Sequence, residues 1–176
     1  MYMAMIAQDV DNLGGKVLRM DWDGNPAPDN PFGNRVYSYG HRNPQGLTFS
    51  DSGQLYLSEH GPANDDEVNR IVAGGNYGWP HIEGFCDTPE EVSACDSLTQ
   101  IPPIAAWTPT EAPCGMSYFS HPSIPEWENT LLLCFLKQQH LKVLHLDDTG
   151  ETVELEEKMW QQEMGRLRDV LVAPNG

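Results

Sequence analysis

The sequence has few basic residues and no long apolar run. Lysine and arginine number 10 against 26 aspartates and glutamates, which gives a formal net charge of −16. A field of that sign repels phosphate backbones, so we predict no nucleic-acid partner. No apolar run approaches the roughly 18 residues of a membrane-spanning helix, so we predict no membrane span. The acidity favours solubility and, where carboxylates and carbonyls cluster, a hard cation such as calcium.

The four cysteines lack the C-x-x-C spacing that is typical of zinc sites. Cys86 and Cys95 flank the polar stretch 87–94, which we interpret as a loop. Their spacing allows a disulfide in an oxidising compartment, although spacing alone does not establish a pairing. Cys114 and Cys134 are interpreted as small buried hydrophobic residues.

Helical periodicity is scarce as well. The one helical candidate is the stretch 152–164, and its apolar pattern is poor. Short strand-like runs separated by glycine-containing turns dominate instead, at 17–22, 46–50, 54–58, 129–135, 141–147 and 170–173. The second and third runs predict a hairpin across the turn 51–53, and the apolar run 129–135 predicts a strand that is buried on both faces.

Two stretches of the chain are weakly repeated. Residues 16–21 with Gly24 are similar to residues 142–147 with Gly150, and residues 47–50 with Gly53 are similar to residues 170–173 with Gly176. Both spacings are close to three blades of roughly 40–45 residues each, which indicates a β-propeller. On these repeats alone, a generic β-sandwich remains an open alternative.

Two loops suit an anionic ligand and a metal. In the loop 39–46, Arg42 and Asn43 stand before a proline and between glycines, so the backbone can hold both side chains rigidly toward a ligand. In the loop 58–67, the carbonyl oxygens of Gly61 and Pro62 lie close in sequence to carboxylates, a combination that suits calcium. The spacing is not that of an EF-hand, and each loop alone also fits an ordinary polar turn.

Two further stretches carry positive charge. Lys137 follows the run 129–135, and a lysine at the end of a buried strand can meet an anion at the rim of a sheet. If the stretch 165–169 is a strand, Arg166 and Arg168 lie on the same face of it. In a chain so poor in cations, these residues and Arg42 are candidates for the lining of one anionic site. Ion pairing with neighbouring acids is the alternative.

Six runs, in the same order and over nearly the whole chain, resemble the soluble quinoprotein glucose and aldose sugar dehydrogenases, a family that includes the propeller of hedgehog-interacting proteins. Each run alone is weak, but six in order are specific. They are GGKVLR (14–19), DNPF (29–32), GHRNPQG (40–46), EHGP with DDE (59–62 and 65–67), GNYGWP (75–80) and GRLRD (165–169).

The resemblance implies an all-β chain, namely a partial six-bladed β-propeller of four-stranded antiparallel blades. Residues 1–176 would form about three to four blades of one domain. The implied cofactors are pyrroloquinoline quinone (PQQ) and Ca²⁺. The residues that match the family's PQQ site are Arg42, which also polarises quinone and substrate, Asn43, Lys137, Arg166 and Arg168, and the matched calcium ligands are the backbone carbonyls of Gly61 and Pro62.

The family's reaction is oxidation of an aldose sugar at C1, with hydride transfer to the quinone and assistance from calcium. Its catalytic histidine lies in an earlier blade, and neither His41 nor His60 matches it. We therefore expect this chain to be a fragment that lacks the N-terminal blades and the extreme C-terminus, and to be inactive alone. The family also implies a periplasmic or secreted location and an electron acceptor of unknown identity.

Two other functions remain as alternatives. One is a non-catalytic binding propeller of the hedgehog-interacting type, and the other is a calcium-stabilised structural β-protein. The joint presence of Arg42, Lys137, Arg166 and Arg168 favours the quinoprotein, because a binding propeller has no need of the cofactor's cationic residues.

Overall fold

The computed structural model describes residues 2–176, and strands dominate that range. Strands β1 to β10 span Lys16–Leu18, Val36–Tyr39, Pro44–Phe49, Leu55–Glu59, Asp66–Ile71, Ala105–Trp107, Pro113–Phe119, Thr130–Phe135, His140–Leu146 and Val153–Met159. Helices α1 and α2 span Tyr2–Met5 and Pro89–Leu98, and short 3₁₀ turns span Ile6–Gln8 and Pro125–Trp127. Within the described range, no helix is long and apolar enough to cross a membrane.

The chain divides into two compact units. The first runs to Pro44 and resumes over Ile71–Pro103. It contains a two-stranded antiparallel sheet of β1 and β2, in which Val17 lies opposite Ser38. It also contains α2 and the disulfide between Cys86 and Cys95, which confirms that pairing.

The second unit, Gln45–Arg70 with Ile104–Gly176, is built on two four-stranded sheets. Their strand orders are β3-β4-β5-β6 and β10-β9-β8-β7. The two sheets pack on each other through apolar side chains, because Tyr56 and Val68 of the first share a buried cluster with Leu131, Phe135 and Leu144 of the second. Sequential strands thus lie side by side, as in the blades of a propeller.

Several strand predictions are confirmed. Residues 44–49 and 55–59 form the expected hairpin, and all six residues of β8 are buried, as the apolar run predicted. Cys114 and Cys134 are free and buried, also as predicted. The first predicted strand is shorter than expected, since β1 ends at Leu18 and the ring of Trp22 is fully exposed.

The helix predicted at 152–164 is wrong. Residues 153–159 form β10, which pairs antiparallel with β9 at the edge of its sheet. The exposed, glutamate-rich side chains of an edge strand gave no clean two-residue period. Helix α2, Pro89–Leu98, begins instead within the stretch 87–94 that we interpreted as a loop.

Helix α2 begins with a capping box. The Thr88 side chain accepts a hydrogen bond from the Glu91 backbone N–H at 3.3 Å, and the Glu91 carboxylate accepts one from the Thr88 N–H at 3.3 Å. Pro89 occupies the first turn, where its missing N–H costs nothing. The T-x-x-E pattern was therefore the sequence signal for this helix.

The weak repeats correspond to equivalent turns. Gly24 and Gly150 both have positive φ, and each donates its N–H to the carbonyl of an aspartate three residues earlier, Asp21 at 3.1 Å and Asp147 at 3.0 Å. Each aspartate also accepts a 2.8 Å bond from the backbone N–H four residues later. The second repeat, Gly53 and Gly176, shares a glycine bond to the residue three earlier, at 2.9 Å in both cases.

The strand predicted at 170–173 does not form. Its alternation is real, because Val170 and Val172 pack against the core while Leu171 is 89% exposed. Residues 170–173 nevertheless form no strand. Alternating apolar residues thus indicate that one face of a segment is half-buried, but they do not establish the backbone hydrogen bonds of a sheet.

Candidate functional site

The fully buried carboxylate of Asp66 organises the site in the second unit. Its Oδ1 accepts hydrogen bonds from the Gly61 N–H at 3.1 Å and the Thr110 hydroxyl at 2.6 Å. Its Oδ2 accepts from the backbone N–H groups of Glu111 at 2.5 Å and Ala112 at 2.8 Å. A buried carboxylate needs this degree of hydrogen bonding, and here the bonds fix the Gly61 loop to the segment that enters β7.

The Gly61-Pro62 turn follows directly after β4. A Cβ on Gly61 would lie 1.6 Å from the Asn64 carbonyl oxygen, so only glycine fits at this position. The adjacent His60 ring contacts the Pro113 carbonyl through Nε2 at 2.5 Å, which attaches the turn a second time to the start of β7. The predicted calcium ligands here are main-chain oxygens, and the described residues include no cluster of three or more His, Cys, Asp or Glu side chains arranged for a metal.

Two of the predicted cationic stretches attach to the same segment. The backbone N–H of Lys137, in the turn between β8 and β9, donates to the Glu111 carbonyl at 3.1 Å. The carbonyl of Arg168 accepts from the Gly115 N–H at 3.0 Å. The side chains of Lys137, Arg166 and Arg168 are exposed. Residues 165–169 do not form a strand, so the argument that Arg166 and Arg168 share a face does not apply.

A cleft of about 290 Å³ lies beside this segment. It is lined by residues from the starts of β3 and β7 and from the segment of Arg168, namely Gln45, Gly46, Leu47, Cys114, Gly115, Met116, Arg168 and Asp169. Two of these residues are glycines that lie close to neighbouring atoms. A Cβ on Gly46, for example, would lie 2.4 Å from the Cys114 carbonyl oxygen. The cleft therefore combines a glycine-lined wall with one cation, Arg168, which can bind a carboxylate, and one anion, Asp169.

The loop of Arg42 and Asn43 belongs to the first unit. The Arg42 side chain is half-buried, and its guanidinium lies 5.2 Å from the centre of the Trp79 ring. The backbone N–H of Trp79 donates to the Gly40 carbonyl at 3.0 Å. The neighbouring His41 is buried, stacks on Tyr77 and has its Nε2 2.8 Å from the Ser38 hydroxyl. The motif GNYGWP thus packs against the Arg42 loop, and convergence of Arg42 with the cations of the second unit stays a prediction.

Sequence reasoning missed an ionic network that includes Glu111, in the segment that enters β7. Lys142 is 1% exposed, lies 3.9 Å from the centre of the Trp107 ring and pairs with Glu111 at 3.1 Å and Glu156 at 3.3 Å. The Glu111 carboxylate also lies 3.3 Å from Nε2 of the buried His140. These residues are distant in sequence, so their contacts could not be predicted. Alternation along β9 predicts only on which face of the strand Lys142 lies.

The pKa values of this network follow from burial and from the neighbouring charges. Burial raises the pKa of Glu111, but Lys142, Lys158 and, when it is protonated, His140 outweigh that effect, and the pKa lies below its ordinary value. Burial lowers the pKa of Lys142 even though Glu156 and Glu111 oppose the shift. Burial also lowers the pKa of His140, so this imidazole is neutral near pH 7.

Comparison with known proteins identifies the class. The family model described as Glucose / Sorbosone dehydrogenase matches residues 3–176, and the chain belongs to that family. Among curated relatives, it is 31% identical to quinoprotein glucose dehydrogenase B of Acinetobacter calcoaceticus, over 96% of this chain and 48% of the relative. It is 34% identical to aldose sugar dehydrogenase YliI of Escherichia coli, over 97% of this chain and 48% of the relative. The chain thus spans about half the length of these relatives.

Solved structures agree. The PQQ-bound aldose sugar dehydrogenase of Streptomyces coelicolor is 39% identical with a TM-score of 0.80, over 98% of this chain and 46% of that one. The apo-form of the soluble aldose sugar dehydrogenase of Escherichia coli is 34% identical with a TM-score of 0.84, over 98% of this chain and 52% of that one. The predicted fold class, an all-β partial propeller of four-stranded antiparallel blades, is confirmed.

Proposed function

We propose that this chain is the cofactor-binding portion of a PQQ-dependent, Ca²⁺-assisted dehydrogenase that oxidises an aldose sugar at C1. One observation carries the proposal: the segment 110–116 holds Lys137 and Arg168 by direct backbone hydrogen bonds, and it holds the Gly61-Pro62 turn through His60 and Asp66. These are three of the elements that an anionic quinone and its metal require. The family's curated members include a quinoprotein, and one solved relative is PQQ-bound.

Each residue has a stated part in this proposal. Arg168, with Arg166 and Lys137, binds the carboxylates of the cofactor, because a guanidinium fork matches a carboxylate. The carbonyl oxygens of Gly61 and Pro62 bind calcium, a hard cation that prefers oxygen ligands. Arg42 and Asn43 bind the quinone and the substrate. When bound, PQQ supplies the redox chemistry by accepting hydride from the sugar, and the protein supplies position and electrostatics.

The first test is a titration of this chain with PQQ in the presence of calcium, followed by absorbance and by quenching of tryptophan fluorescence. We expect saturable binding that is lost when EDTA removes calcium. Arg168→Gln should weaken binding by about tenfold or more, since it removes a charge-assisted contact. Arg19→Gln is the matched control, because Arg19 pairs on the surface with Asp29 at 2.9 Å and should leave the affinity unchanged.

Two results would reject the proposal. Calcium binding without any quinone signal would point to a calcium-stabilised structural protein. Equal PQQ affinities for the Arg168→Gln and Arg19→Gln variants would show that the cleft beside Arg168 is not part of the cofactor site. Since neither His41 nor His60 matches the family base, we expect this chain alone to show binding without sugar-dependent dye reduction.

We also propose a periplasmic or secreted location. The Cys86–Cys95 disulfide supports it, because stable disulfides are rare in reducing compartments. Fractionation of the native host with antibody detection tests this, and recovery in the cytosolic fraction with reduced thiols would reject it.

A further inference from the structure

Two consecutive residues of β7 hold the segment that carries Arg168. The Cys114 thiol donates to the Leu167 carbonyl at 3.2 Å, and the Gly115 N–H donates to the Arg168 carbonyl at 3.0 Å. Adjacent donors thus meet adjacent acceptors, which fixes both the position and the direction of this irregular segment. Both donors also line the cleft that Arg168 borders.

The approach is so close that position 115 has no room for a side chain. A Cβ there would lie 1.9 Å from Oδ1 and 2.7 Å from Cα of Asp169. Gly115 does not have a positive φ, so alanine would fit its backbone conformation without strain. The requirement for glycine is therefore one of space, and its purpose is to let the Arg168 segment reach β7.

The thiol is suited to its role as a donor. Cys114 is 2% exposed, and burial raises its pKa, so it keeps its hydrogen at neutral pH. Its single hydrogen is shared with a second acceptor, the Cys134 carbonyl on the neighbouring strand, which lies 3.3 Å from the sulfur. The Cys114 side chain thus contacts both β8 and the segment of Arg168, and it holds that segment in place beside the cleft.

We infer that Cys114 and Gly115 are positioning residues that set where Arg168 stands at the cleft. This inference rests on the proposed function, in which Arg168 binds a carboxylate of the cofactor. Neither residue needs to touch the ligand, because each acts through the backbone of the segment that bears the arginine.

The test begins with Gly115→Ala in the full chain. Gly14→Ala is the control, since its Cβ would meet only side chains, those of Ile6 at 2.6 Å and Asn12 at 3.4 Å, and no backbone. By hydrogen exchange, we expect the amide at position 115 to lose protection in the first variant while the amide of Leu144 in the core stays protected. Unchanged protection at position 115 would overturn the inference.

The second measurement is PQQ affinity in calcium. Gly115→Ala should weaken it by about tenfold, comparable to the loss of one charged hydrogen bond. In the Arg168→Gln background, Gly115→Ala should have no further effect, because the residue through which it acts is gone. An equal additional loss in that background would show a merely structural role and would overturn the inference.

Cys114 provides a gentler variant in case Gly115→Ala fails to fold. Cys114→Ala should loosen the Arg168 segment and weaken PQQ binding, and Cys114→Ser should restore both, because a hydroxyl is again a donor. Equal affinities for the alanine and serine variants would contradict the role of the thiol. Should the wild-type chain bind no PQQ, the proposed function fails, and the exchange of the amide at position 115 still decides whether these residues dock the segment.

Discussion

A single carboxylate, that of Asp66, joins stretches of chain 44 residues apart. It receives two bonds on each oxygen, so both oxygens must act as acceptors. The sequence shows three consecutive acids at 65–67, and nothing in their spacing distinguishes the middle one. Its role arises only when the fold brings the segment 110–112 against it.

Asp66→Asn should therefore destabilise the second unit strongly. The substitution keeps the volume but directs an NH₂ group at two donors, and we expect a loss of about 2–4 kcal/mol in unfolding free energy. Urea denaturation measures it. Asp23→Asn, at an exposed carboxyl, is the control, and similar losses in both variants would contradict the role assigned to Asp66.

The network of Glu111 and His140 predicts acid sensitivity. The pKa of Glu111 lies below its ordinary value of 4.5, so its stabilising effect is present above that pH and is lost as pH falls through the lowered pKa. The pKa of His140 lies below its ordinary value of 6.5, so the unfolded chain binds that proton more readily, and stability declines as pH falls below 6.5. Both effects have the same sign.

The Glu111→Gln variant tests how much Glu111 contributes to the loss of stability at acid pH. Between pH 5 and 3, the unfolding free energy of this variant should fall less steeply than that of the wild type, although it starts lower because Lys142 loses a partner. Glu154→Gln, on the exposed face of β10, should keep the wild-type slope. A slope unchanged by Glu111→Gln would refute the assignment.

At the scale of elements, the strands with strong local patterns could be predicted and the elements with weak patterns could not. The hairpin of β3 and β4 has alternation and a glycine turn, and β8 has an uninterrupted apolar run. Strand β10 was missed because its partner β9 determines its conformation, and most of its own residues are exposed. The site was predicted as residue types in loops, whereas their support by the segment 110–116 depends on long-range contacts.

Helix α2 has no buried residue, so its support comes from its cap and from the Cys86–Cys95 disulfide. Thr88→Ala should destabilise it by about 1 kcal/mol, since it removes the side-chain acceptor of the capping box. Hydrogen exchange of the amides at 91–95 should become faster, while those of β8 stay slow. Ser93→Ala, in the exposed middle of the helix, should not increase exchange, and an increase there as large as that for Thr88→Ala would argue against the cap.

At the scale of the whole molecule, net charge is the dominant property. A formal charge of −16 on 176 residues produces self-repulsion in the folded state. Sodium chloride from about 0.01 to 0.15 M, which shortens the screening length from about 30 to 8 Å, should raise the melting temperature. Sucrose at equal osmolality separates screening from solute exclusion, and a melting temperature that does not rise with salt would contradict this prediction.

The burial of Lys142 has a practical consequence for chemical labelling. The chain has four lysines, and Lys137 and Lys158 are exposed while Lys142 is 1% exposed. An amine-reactive reagent at neutral pH should modify the two exposed lysines quickly and reach Lys142 only after the second unit opens. Mass spectrometry of the peptide that contains Lys142 would then count openings of this unit directly, with no introduced probe.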